Sequence, residues 1–372
     1  MTNESPALPA QVSLSSDGGE FIASPRCIPW QTRSREIKRP SQNSSSWDLG
    51  ISLNCGFFLF LLFLAIYFVT VAGNILIVVL VVSDQQLHTP MYFFLGNLSC
   101  LETCYTSTIL PRMLASFLTE DRTISVSGCL AQYYLFDFFG VTECSLLAAM
   151  SYDRYLAICK PLHYAALMNG NLCLQLATAS WICGFLTIPI IVFLVLQFTF
   201  CGPDEIDNFF CEFLQIINLY CNATYQMELV VTILAAVFTL PPFALTLVSY
   251  VCIISTILRI PSTTGRQKAF STCSSHLIVV TVFYGTLIIV YLLPKTNTLR
   301  DLNKVFCVCY TIVTSIANPF IYSLRNQTIK EALRKIVSKC LDFMRIQKPQ
   351  SLQAKWCITQ MLCGPYFLLH CW

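Results

Sequence analysis

The sequence predicts an all-α membrane protein: a bundle of seven transmembrane helices with a short amphipathic helix on the cytoplasmic side. Three observations carry this. The 372 residues are 55% hydrophobic and only 12% charged, where a soluble domain carries roughly 25% charged residues. Charge-poor runs of spanning length recur seven times. The loops between them differ in charge, basic on one side and acidic on the other. A net charge of +3 gives no reason to expect a nucleic-acid partner. Most of the 20 Cys lie in apolar runs, where Cys acts as a small hydrophobe.

The first 50 residues are polar, with Pro, Ser and mixed charges and no signal-peptide core, so the first span is expected to act as an uncleaved signal anchor. The spans are Phe57–Val82, Met91–Leu114, Ser127–Cys159, Leu172–Phe198, Met227–Leu258, Ala269–Leu293 and Asn303–Leu324. The first, of about 26 residues, reaches roughly 39 Å, enough to cross with some tilt. Backbone groups in lipid must be paired internally, so runs this long and apolar are helices.

Lys160 and His163 follow span three, Arg259, Arg266 and Lys268 lie between spans five and six, and Arg325, Lys330, Arg334, Lys335 and Lys339 follow span seven. This basic set marks the cytoplasmic face. The loop between spans four and five carries Asp204, Glu205, Asp207 and Glu212, and the N-terminus falls outside with it. Arg33, Arg35, Lys38 and Arg39 then also lie outside, and the cytoplasmic set is expected to outweigh them. Residues 1–56 are expected as an extracellular segment without regular structure, 57–325 as the bundle, and 326–372 as a cytoplasmic helix and tail. In the last, Ile329, Leu333, Ile336 and Val337 recur at helical spacing among Lys and Arg, the pattern of a helix lying on the inner membrane surface.

Ionisable residues inside spans usually face a bundle interior or a wet cavity. Glu102 and Glu143 are such residues in spans two and three, and Asn74 and Asn318 are neutral polar residues in spans one and seven able to join them. If the two acids meet, they share a proton or bind a cation. Pro319 breaks the hydrogen-bond ladder of span seven and permits a kink. Span three ends in Met150-Ser151-Tyr152-Asp153-Arg154-Tyr155, followed by a basic turn through Lys160-Pro161-Leu162-His163-Tyr164. An Asp-Arg pair at the end of a membrane helix needs partners or water.

That stretch closely resembles the end of the third helix in the olfactory receptors, a branch of the rhodopsin-like G-protein-coupled receptors. With three further matches it makes four that stand along the chain in the family's order. The further three are Leu87-His88-Thr89-Pro90-Met91-Tyr92-Phe93-Phe94-Leu95, Lys268-Ala269-Phe270-Ser271-Thr272-Cys273-Ser274-Ser275-His276-Leu277 and Asn318-Pro319-Phe320-Ile321-Tyr322. The resemblance runs from about Phe57 to Val337. Ser151, Gly96 and Ser315 are mild departures, standing where the family usually has Ala, Ser and Pro. The ends depart more: residues 1–50 and the tail from about Gln347 lack the family's pattern, which bears on delivery to the cell surface.

The resemblance implies roles. Asp153, Arg154 and Tyr155 would hold the receptor inactive, with Arg154 freed to meet a heterotrimeric G protein of the stimulatory, cyclic-AMP-raising type. Pro319 and Tyr322 would form a switch swinging toward Arg154, the alternative being a passive kink. Asn74, Glu102, Glu143 and Asn318 would form the interior polar network, with a sodium ion at Glu102 and Glu143, the alternative being a protonated pair. No other cofactor is implied.

Cys129 begins span three on the outer side, and Cys201, Cys211 and Cys221 lie in the acidic outer loop. Their compartment is oxidising, and four Cys allow three connectivities. The resemblance implies Cys129–Cys211 and Cys201–Cys221. Asn222-Ala223-Thr224, Asn43-Ser44-Ser45 and Asn3-Glu4-Ser5 are outer sequons; Asn43 and Asn222 are the expected glycosylation sites. Cys340, beside the amphipathic stretch, is either palmitoylated or unmodified.

By helical spacing, Tyr133, Phe136, Asp137, Gly140 and Val141 can share one face. By resemblance that face lines an odorant pocket. Tyr284 and Thr286 in span six, beside Gly285, either complete its floor or, as mid-membrane polar groups, are bonded within the bundle. A mostly apolar pocket with few polar anchors suits small volatile molecules. Asp137 is either an anchor for a cationic or donor ligand or a protonated acid bonded within the bundle. The expected protein is therefore an odorant receptor of the plasma membrane, multi-pass with its N-terminus outside. Three alternatives remain: the same scaffold sensing a metabolite or peptide, a seven-helix enzyme or transporter, or an intact core that no longer signals. An enzyme would need clustered His, a metal set or a nucleophile–base pair, and His276 stands isolated from any such constellation.

Overall fold

The computed structural model describes residues 36–38, 53–118, 123–196, 211, 225–292, 312, 314–321 and 327–346. Six long helices make the body: α1 (Leu53–Ser83), α2 (Pro90–Leu118), α3 (Val126–Cys159), α4 (Gly170–Leu196), α5 (Tyr225–Leu258) and α6 (Thr263–Leu292). Residues 314–321 are helical inside the seventh predicted span and are called α7. The amphipathic stretch forms α8 (Gln327–Ile346).

Short polar devices set the ends. After α1, the Asp84 carboxylate accepts the Gln86 N–H at 3.1 Å and starts a 3₁₀ turn, Gln85–Leu87. Pro90 then opens α2, a position where its missing N–H costs nothing. Ser125 caps α3 by accepting the Gly128 N–H at 3.1 Å, and Asn169 caps α4 through the Leu172 N–H at 2.9 Å. Ser262 caps α6 through the Gly265 N–H at 3.2 Å. That cap explains why α6 starts at Thr263 and not at Ala269. Hydropathy marks where a span leaves lipid, whereas the helix runs on into water.

α3 is central, packing against α2, α4, α5 and α6, while α1 packs along α2. Outer and inner helices differ accordingly. α1, α4 and α5 each hold a stretch apolar enough to cross a membrane (Phe57–Ser83, Gly170–Phe193 and Ala236–Leu258), with no more than 33% of it buried. Their exposed Phe58, Phe68, Phe185, Phe193 and Val251 face outward, as lipid contact requires. α2 and α3 carry Glu102, Glu143, Asp153 and Arg154, all buried in the bundle.

Two glycines permit close helix approach. A Cβ at Gly184 of α4 would stand 2.7 Å from the Phe138 carbonyl of α3, and one at Gly73 of α1 would stand 3.0 Å from Pro319 of α7. Within the N-terminal segment expected to lack regular structure, Glu36–Lys38 form β1. It pairs antiparallel with β2 (Thr123–Ser125), with Ile37 opposite Ile124. The apolar stripe of α8 divides: Ile329 and Ala332 are buried against the bundle end, while Val337 is exposed.

Candidate functional site

Glu102 of α2 and Glu143 of α3 are 0% and 1% exposed. Glu102 accepts from Ser315 Oγ at 2.6 Å and from Asn318 Nδ2 at 2.6 Å. Asn74 Nδ2 donates to the Thr70 carbonyl at 3.0 Å and to the Ser315 carbonyl at 3.4 Å. The predicted network is thus drawn together from α1, α2, α3 and α7, and Ser315 lies at its centre. Ser315, a departure from the family pattern, ties two of the four members: its hydroxyl donates to Glu102 and its carbonyl accepts from Asn74. Glu143 stands beside Glu102, and among the described residues neither of its oxygens meets a donor. The side-chain oxygens of Asn74 and Asn318 are likewise buried without a donor. Two adjoining buried carboxyls cannot both be charged unless a cation joins them. Among the described residues no group of three or more His, Cys, Asp or Glu converges. A cation here would therefore rest on two carboxylates and neutral oxygens, a set suited to a hard ion.

At the cytoplasmic end of α3 a second cluster is closed on itself. Arg154 donates to one oxygen of Asp153 through Nε at 2.9 Å and also through Nη2. The other oxygen accepts the Tyr164 hydroxyl at 2.8 Å. Tyr164 stands on the four-residue helix Tyr164–Leu167 beyond the basic turn. Its ionisation is pushed up, first by burial and then by the Asp153 charge, so it stays a donor. Tyr155 lies off this cluster, stacked on Tyr152 with centroids 6.4 Å apart. His276, outside any catalytic constellation, has a structural partner: its Nδ1 meets the Tyr250 hydroxyl at 2.5 Å, joining α6 to α5. Pro319 is described and buried against Gly73; Tyr322 lies outside the described residues.

On the outer side, Cys129 and Cys211 form a disulfide. Gln132 reinforces it. Its Oε1 accepts the Cys211 N–H at 3.1 Å, and its Nε2 donates to the Thr108 carbonyl of α2 at 3.2 Å. Its place one turn after Cys129 was the available signal, and polarity alone did not single it out. Cys201, Cys221, Asn43 and Asn222 lie outside the described residues.

The five positions of the predicted ligand face are spread widely around α3. At about 100° per residue, positions 133, 136, 137, 140 and 141 span about 140°, and neighbours divide them. Phe136, at one edge, packs on Tyr105 of α2 with centroids 5.3 Å apart, and Tyr133 is buried. Asp137, Gly140 and Val141 are half-buried. Among the described residues a Cβ at Gly140 would meet nothing within 4 Å, nor would one at Gly285 on α6. Both glycines thus border open space. Tyr284 is committed to the bundle, donating to the Cys144 carbonyl at 3.4 Å and packing on Phe243 at 4.9 Å. Thr286 donates to its own helix, at 2.8 Å to the Val282 carbonyl.

The olfactory receptor family model matches residues 63–340. Human olfactory receptor 11A1 is 49% identical over 282 residues, covering 76% of this chain and 89% of that protein. Human olfactory receptor 6F1 is 50% identical over 277 residues, covering 74% of this chain and 90% of that protein. The crystal structure of squid rhodopsin superposes with a TM-score of 0.59 at 15% identity, over 84% of this chain and 93% of that one; it speaks to the fold. The chain belongs to the olfactory receptor family: it is a receptor with the rhodopsin seven-helix fold, and not an enzyme.

Proposed function

We propose that this receptor binds small, mostly apolar odorants inside the bundle and answers by activating a stimulatory G protein that raises cyclic AMP. The observation that carries the reading is the closed Asp153–Arg154–Tyr164 cluster. A buried guanidinium held by its neighbour is a charge kept ready for a partner that can outcompete the pair. Gly140, beside open space, stands fourteen residues away on the same helix, roughly 21 Å along its axis. One rigid element thus links a site for a ligand to a site for a transducer.

The ligand set is Tyr133, Phe136, Asp137, Gly140, Val141, Tyr284 and Thr286. The division of neighbours favours Asp137, Gly140 and Val141 as direct contacts and the others as their support. Glu102 and Glu143, with Asn74 and Asn318, would hold a sodium ion that neutralises the paired acids in the resting state. Pro319 and Tyr322 would supply the switch. The stimulatory subtype rests on the family likeness alone. The chain would reside in the plasma membrane with residues 1–56 outside, glycosylated at Asn43 and Asn222, and residues 326–372 in the cytoplasm.

The test is a cyclic-AMP reporter in cells expressing the full chain, screened against an odorant panel that includes amines, with surface staining of the same cells. A ligand-dependent rise that Arg154→Ala abolishes supports the reading. Silence across the panel with good surface staining counts against it. Hits confined to amines would assign Asp137 as the anchor.

A further inference from the structure

Between the cytoplasmic ends of α5 and α6 lies a cleft of about 330 Å³, lined by Ile254, Ile257 and Leu258 on one side and Thr263, Arg266 and Phe270 on the other. Its volume is at the lower end of the range of small-molecule sites, roughly 300–1,000 Å³. Ile257 is 3% exposed and forms the inner wall, whereas Leu258 is 63% and Phe270 52% exposed. The cleft therefore opens on the outer flank of the bundle. The apolar window of α5 ends at Leu258, so the cleft stands where hydrocarbon gives way to water.

Its charge is basic. Arg266 lines it, Arg259 and Lys268 neighbour lining residues in the chain, and the sequence carries no Asp or Glu between Glu228 and Asp301. Arg266 Nη2 donates to the Leu258 carbonyl at 3.4 Å and to the Ile260 carbonyl at 3.2 Å. These bonds fix the guanidinium over the end of α5 and use only one of its nitrogens. A guanidinium has five N–H donors in a planar fork matched to a phosphate. An apolar trough under an anchored guanidinium, at the inner membrane boundary, fits an anionic amphiphile.

We propose that this cleft binds an anionic phospholipid of the cytoplasmic leaflet, one acyl chain lying along Ile254, Ile257 and Phe270 and the phosphate meeting Arg266. α6 is bent by 47° between Thr263–Ser271 and Cys273–Ile288, immediately beyond Phe270. The lipid would brace the short arm below that bend against α5. The proposal does not depend on which ligand or G protein the receptor uses.

The test uses the full chain in nanodiscs containing a phosphatidylserine or a phosphatidylcholine probe with a photoreactive acyl chain, followed by peptide mapping. The anionic probe is expected to label residues 251–270 at least fivefold more than the zwitterionic one. Leu258→Trp, a change at an exposed position that fills the cleft, is expected to cut that labelling at least fivefold while labelling of α1 and α4 stays constant. Arg266→Gln is expected to abolish the headgroup preference, and Arg266→Lys to retain part of it. Equal labelling by both probes overturns the proposal, as does labelling that survives Leu258→Trp, since either outcome describes ordinary lipid contact. If Leu258→Trp fails to fold, judged by its thermal midpoint, the headgroup comparison and the Arg266 variants decide alone.

Discussion

The Tyr164 hydroxyl holds, at 2.8 Å, the Asp153 oxygen that Arg154 leaves open. Both carboxylate oxygens are thereby occupied, and the acid cannot turn away from Arg154 without breaking a bond to a side chain beyond the basic turn. A hydrogen bond to a charged group is worth roughly 1.5–3 kcal/mol. Tyr164→Phe should therefore weaken the resting state and raise ligand-independent cyclic AMP several-fold at matched surface density. Unchanged basal signalling would mean that Tyr164 is only packing.

The paired acids at the bundle centre predict an ion response. With Glu102 satisfied by Ser315 and Asn318 and Glu143 meeting no donor among the described residues, sodium should raise the thermal midpoint of the purified receptor more than equimolar choline does. Glu143→Gln removes one charge and should erase that difference while preserving the fold. A sodium effect of equal size in the variant would place the ion elsewhere or nowhere.

The glycines divide into two groups with opposite expected outcomes. Gly184→Ala puts a methyl 2.7 Å from the Phe138 carbonyl, backbone that cannot move aside, and overpacking of this kind costs about 1–3 kcal/mol. It should lower the thermal midpoint and the surface density. Gly140→Ala and Gly285→Ala meet nothing within 4 Å among the described residues. They should leave stability unchanged and shift the odorant concentration–response curve. A loss of folding in the second pair would show that the space beside them is not a cavity.

On the cytoplasmic side, Lys335 of α8 donates to Asp84 at 3.1 Å and to Gln86 at 2.9 Å. The Asp84 carboxyl is held below its usual value of 3.8, first by the Gln86 N–H and then by Lys335. A depressed acid contributes stability above its unfolded pKa and loses it as the pH falls through the folded value. The α8 docking should therefore be insensitive to pH from 5 to 8. Asp84→Asn or Lys335→Ala should instead speed hydrogen exchange in α8 across that whole range. Loosening of the wild-type helix between pH 7 and 5 would assign the dock to another group.

The sequence by itself determined the helices and their order. Spanning length, apolarity and the charges of the loops follow from the solvent, because lipid forces every backbone group to be paired along the chain. For the same reason Glu102, Glu143, Asn74 and Asn318 stood out before any contact was known: polar groups in hydrocarbon are conspicuous. The Asp153–Arg154 pair was legible because its members are adjacent. Tertiary structure alone decided the partners that come from far along the chain. Ser315 reaches Glu102 across 213 positions, His276 finds Tyr250 on another helix, Gln132 ties the outer loop to α2, and Tyr164 folds back onto Asp153. It also decided how residues of one helical face are used, since Phe136 and Gly140 share that face, yet Phe136 packs on Tyr105 while Gly140 meets nothing within 4 Å among the described residues. Periodicity fixes the direction of a side chain relative to its own helix; what it meets depends on the neighbouring helices, and that is set by packing.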